Sequence, residues 1–179
     1  MPSAWPSAQL YVVTCAARAC PLRPAADERA GADGRFAGGR VLPRGPARVI
    51  AQLAVLSVAS AALALARGHG LLALVPLSVA VTSFNFWRDA TAANPWRLVD
   101  IVVVQLGLWT QVFVAARGAE NARLFFALYG VGIICCAMGV AAKHESAWAS
   151  ASWHAAVHVL GNAANAALFL GDIPATRGD

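Results

Sequence analysis

Two histidines four residues apart, His154 and His158, are the most chemically suggestive pair in the chain. On a helix that spacing puts both imidazoles on one face, where they can offer two nitrogens to a single metal ion. Asp100 is the one acid well inside an apolar run, and Ser83 lies in the run before it. A carboxylate could complete a metal site directly or hold its water. Asn85, Gln105, Gln111, Asn162 and Asn165 are further polar groups in apolar surroundings. The same side chain types also serve as hydrogen-bonding glue between membrane helices, or as stations for a proton or a small solute. Residue type alone leaves these three chemistries open.

The elements that must position these residues follow from the hydropathy. Of 179 residues, 59% are apolar and 13% charged, about half the charged fraction of an ordinary soluble domain. The apolar residues form five blocks, 48–66, 71–87, 98–116, 123–142 and 147–170. Each comes close to the roughly 20 residues that a helix needs to cross a bilayer core. Charge and Gly or Asn-Pro mark most of the breaks, as turns require. β-Barrel strands would alternate apolar with polar residues, and these runs do not. The expected fold class is all-α, a polytopic transmembrane helix bundle with about five spans over residues 47–171. Residues 1–46, rich in Ala, Arg, Pro and Gly without a sustained period, read as a disordered or targeting tail. Residues 172–179 read as a short C-terminal tail.

Charge excludes some functions and suggests an orientation. The net charge is +5, with no basic run, so no nucleic-acid partner is expected. Membrane lipid is the expected partner. Arg40, Arg44, Arg48, Arg88, Arg97 and Lys143 fall on one side of a five-span arrangement, and Arg67, Arg117, Arg123 and Arg177 on the other. The positive-inside tendency then places the N-terminus in the cytoplasm. Trp87, Trp96, Trp148 and Trp153 fall at or near that same interface. Four cysteines, two of them in the tail and two adjacent at Cys135 and Cys136, do not make a disulfide scaffold. No phosphate loop, dinucleotide fingerprint or nucleophile elbow occurs.

The polar residues share faces and depth. At about 100° per residue, His154, His158, Gly161, Asn162 and Asn165 occupy roughly a third of their helix's circumference, opposite Ala, Val, Leu and Phe. Asp100, Val104, Gly107 and Gln111 share a face by the same arithmetic, and Gln105 lies off it. With a rise of about 1.5 Å per residue, Ser83, Asp100 and His154 sit roughly 6, 3 and 10 Å inside their spans' ends on one side. They can therefore share one layer. Arg88 could pair with Asp100 and keep it ionised, or reach a lipid phosphate beyond Trp87.

These residues resemble the CREST superfamily of alkaline ceramidases and progestin/adipoQ receptors. That family carries Ser-x3-His late in one helix, an Asp at the start of the next and His-x3-His in the last. Here Ser83 precedes Trp87 by four residues, Asp100 opens the next span, and Ser152 to Leu160 supplies the final motif. The resemblance implies a zinc-dependent membrane hydrolase acting on a lipid amide or ester. His154 and His158 inherit metal binding from it; Ser83 and Asp100 inherit the catalytic placing of water. Asn85, Arg88, Gln111, Asn162 and Asn165 would form the supporting polar stripe. The chain departs from the family in carrying Trp87 where the first histidine stands, and in having five spans rather than seven. His144 or Asp100 would have to supply a third ligand.

Overall fold

The computed structural model describes Ala30 and residues 35–174. The described residues form five long α-helices and no strand: α1 (Arg44–Ala66), α2 (Gly70–Trp87), α3 (Trp96–Ala116), α4 (Ala122–Ala141) and α5 (Ala147–Leu170). Each apolar block of the sequence becomes one helix. Readings placed on residues 1–29 and on Arg177, including Cys15, Cys20 and most of the tail, lie outside the described residues.

Local chemistry sets where the helices stop. Gly68 (φ 81°) and Gly118 (φ 100°) adopt the left-handed backbone that ends α1 and α3, a conformation in which a Cβ would be strained. Ser146 caps α5, its side chain accepting from the Trp148 amide at 3.2 Å. Asn94 shapes the α2–α3 turn, accepting from the Trp96 amide at 3.0 Å and donating to the Asp89 carbonyl at 2.7 Å. α1 starts at Arg44, four residues before the apolar block, because Pro46 falls in the first turn, where a missing N–H costs nothing.

Four helices, α1 to α4 (the last with its short 3₁₀ extension through His144), are long and apolar enough to cross a membrane. α5 is equally long at 24 residues, but its histidines, asparagines and serines keep it out of that group. The five expected helices are all present; by length and composition four of them qualify as spans, and the fifth is the helix that carries the polar stripe. The outward side chains of α3 and α4, among them Leu106, Trp109, Phe113, Ile134 and Met138, are exposed. Large exposed apolar surfaces of this kind mark contact with protein or membrane rather than water.

The helices stand side by side in the order α3, α2, α1, α5, α4. α3 and α4 close this arc only weakly, touching at few points. A buried apolar cluster fills each end. At one end Ile50, Phe86, Trp87, Ala147 and Ala151 pack with Phe36 and Leu42. At the other, Ala64, Leu72, Val114, Phe125, Leu168 and Phe169 pack together. Phe36 and Leu42 thus depart from the tail reading of residues 1–46. The segment holding them, with a 3₁₀ turn at Ala37–Gly39, is tied to the α2–α3 turn by Val41 N–H to Ala90 O at 2.8 Å, and by the Arg40–Asp89 ion pair at 3.3 Å.

Candidate functional site

Asp100 sits in the second turn of α3, only 8% exposed. Two hydroxyls of α2 donate to its Oδ1: Ser83 Oγ at 2.6 Å and Thr82 Oγ1 at 2.9 Å. Adjacent helical residues point about 100° apart, so both reach one oxygen only because the carboxylate lies between their directions. Hydrogen bonds to an ionised group are shorter and stronger than neutral ones. The pair fastens α3 to α2 at the Trp87 end. Further along the same contact, a Cβ on Gly107 would lie 2.7 Å from Val75 Cγ1, so glycine there permits the close approach of the two helices.

α5 faces this pair with its polar stripe. The Trp87 ring lies 4.6 Å from that of His154, which is 5.4 Å from the His158 ring. Asn162 donates to the His158 carbonyl at 2.8 Å and accepts from Ser60 Oγ of α1 at 2.7 Å. The stripe is therefore turned into the bundle and fastened to α1.

Between these elements lies a cavity of about 700 Å³ to which all five helices contribute. Its polar wall includes Ser57, Ser83, Asp100, Gln111, His154, His158, Asn162 and Asn165, and the rest is mainly aliphatic and aromatic. The volume falls within the range of small-molecule sites, whose walls are likewise mostly apolar with a few converging polar groups. Apolar clusters close both ends of the bundle, and the loosest part of the wall is the α3–α4 seam.

Not every candidate from the sequence reaches this cavity. Asn85 and Arg88 line a separate hollow of about 330 Å³ at the α2–α3 turn, with Asp89, Asn94 and Trp96. α2 ends at Trp87, which leaves Arg88 exposed, and Asn85 donates to the Val81 carbonyl of its own helix at 2.8 Å. The Arg88–Asp100 pair does not form; Arg40 of the preceding segment pairs with Asp89 at this turn instead. His144 is exposed on the 3₁₀ turn after α4, off the cavity wall. Thr82, Ser57 and Ser60 are the contributors that the sequence reading missed. A hydroxyl in a helix normally bonds its own backbone, and only the neighbouring helix shows that these do more. Gln105 edges the cavity although it lies off the Asp100 face.

Comparison with protein-family models, curated proteins and solved structures finds no match to this chain. The donor set therefore has to speak for itself on zinc. Catalytic zinc takes three protein ligands and an open position. No group of three His, Cys, Asp or Glu side chains able to hold a metal ion occurs among the described residues. The Trp87 indole lies against His154, at the position where the CREST pattern has its first imidazole. The residues present do not fit the zinc that the resemblance implies.

Proposed function

We propose that this chain is a multi-pass integral membrane protein whose central cavity receives a membrane lipid, the lipid's polar end resting on Ser83, Asp100, His154 and His158. The observation that carries this reading is the cavity itself: apolar walls, one polar wall, and an enclosure whose weakest point faces sideways between α3 and α4. A lipid is the ligand that such walls solvate best, and the surrounding bilayer supplies it. On this reading α5 crosses the membrane with the others, its stripe shielded by the bundle. The Trp87 end, with Arg40, Arg44, Arg48, Arg88, Arg97 and Lys143, is the cytoplasmic one. The apolar clusters at both ends weigh against a lane for protons or solutes along the bundle axis.

Gly161 provides the test. It lines the cavity, and a Cβ there would meet nothing within 4 Å, so Gly161→Phe narrows the space without displacing backbone. Mass spectrometry of the protein purified in mild detergent is expected to find about one lipid per wild-type chain and clearly less on the variant. Equal lipid on both would refute the reading.

Hydrolysis of a lipid amide or ester, the activity that the CREST resemblance implies, is the second reading. It is favoured by the short Ser83–Asp100 hydrogen bond on the cavity wall, an arrangement in which a carboxylate could take a proton from the hydroxyl or hold a water. Turnover of a lipid amide by wild type, lost in Ser83→Ala and Asp100→Asn, would support this reading. Absence of turnover by wild type with lipid bound would reject it.

A further inference from the structure

We propose that the cavity prefers a single-chain amphiphile carrying a cationic amine, bound with its ammonium on Asp100. The proposal rests on the lipid-site reading and adds the ligand's class to it.

Two observations lead there. The first is charge. Among the described residues, Asp100 is the only Asp, Glu, Lys or Arg on the cavity wall. It is over nine-tenths buried, and among the described residues no cation pairs with it. Its bonds from Ser83 and Thr82 both go to Oδ1. A carboxylate offers about four acceptor sites on two oxygens, so two hydroxyls do not exhaust it. Buried acids in membrane bundles are ordinarily paired. Here the partner that the fold does not supply can come from a ligand. An ammonium presents three donors, and the imidazoles of His154 and His158 line the same cavity to accept those that Asp100 does not take.

The second observation is size. At about 30 Å³ for each water-sized group, a cavity of about 700 Å³ takes roughly 20 non-hydrogen atoms. That corresponds to one chain of about sixteen carbons with a compact head. A two-chain phospholipid is more than twice as large and could insert only one of its chains. The walls beyond the polar cluster, among them Val75, Val104, Leu108 and Ile133, are apolar and suit such a chain.

The experiment compares three probes on the full-length chain in detergent: hexadecylamine, hexadecanol and dioleoylphosphatidylcholine. Displacement of tritiated hexadecylamine is read by scintillation proximity, with Gly161→Phe correcting for uptake by the micelle. The amine is expected to bind at least tenfold tighter than the alcohol, and Asp100→Asn to erase that difference. The phospholipid is expected to compete more weakly than the amine. Equal affinity of amine and alcohol in wild type would overturn this inference and leave the lipid site standing. A stronger competition by the phospholipid would overturn its size argument. If neither single-chain probe bound above the Gly161→Phe background, the lipid-site reading would fall with it. Should Asp100→Asn fail to fold, Ser83→Ala with Thr82→Val leaves the carboxylate in place and is expected to retain the preference for amine.

Discussion

Removing the two hydroxyls that serve Asp100 should be costlier together than the sum of the parts. Thr82→Val preserves shape and deletes one donor, and Ser83→Ala deletes the other. A hydrogen bond to a charged group contributes about 1.5–3 kcal/mol in water-soluble proteins, whereas polar pairs between membrane helices average about 0.6 and reach about 1.7. The geometry argues for the upper part of the membrane range, because both bonds are short and Asp100 is only 8% exposed. Each single variant should therefore lose about 1–1.5 kcal/mol, Ser83→Ala the more because its bond is shorter. Either single change leaves the carboxylate one donor. The double change leaves it with none, and about 1 kcal/mol of extra loss is expected from that coupling. Reversible unfolding in mixed micelles, titrated with a denaturing detergent, measures all three. Single losses below about 0.3 kcal/mol would show that the hydroxyls do not stabilise the acid, and strict additivity would refute the coupling between them.

Gly107→Ala places a methyl group 2.7 Å from Val75 Cγ1; it should destabilise the bundle by about 1–3 kcal/mol, and adding Val75→Ala should restore most of the loss in the same unfolding assay. Ser60→Ala removes the 2.7 Å bond to Asn162 and should cost about 0.6–1.7 kcal/mol. Arg88→Ala, outside the cavity, should change stability by less than about 0.5 kcal/mol and leave lipid content unaltered. Trp87→His supplies a third imidazole beside His154 and His158, and the variant should retain zinc through gel filtration, by elemental analysis, where wild type does not. Zinc at one equivalent in wild type would show that the donor set has been misjudged.

How much of this was legible in the sequence depends on the range of the interaction. Helix extents were readable because an apolar run and its glycine breaks are local: α2 and α5 occupy 70–87 and 147–170, against expected blocks of 71–87 and 147–170. The inward face of α5 was readable because helical periodicity is also local. What the periodicity could not show is which helix each face meets. Thr82 and Ser60 look like ordinary helical hydroxyls until Asp100 and Asn162 arrive from elsewhere in the chain. Arg88 and Asn85 are near Ser83 in sequence, but α2 ends at Trp87 and its last turn directs them to a different hollow. Phe36 and Leu42 had no period to reveal them, and only their contacts at the Trp87 end show them to be core.

The central claim is that a lipid occupies the middle of this bundle rather than only its outside. Photolabelling with a fatty-acyl diazirine lipid in nanodiscs, followed by peptide mass spectrometry, reads this directly. A lipid in the cavity labels the inward stretch of α5 from Val157 to Ala164, which lines it, and that labelling falls in Gly161→Phe. Labelling confined to outward residues such as Leu106, Trp109 and Phe113 would contradict it.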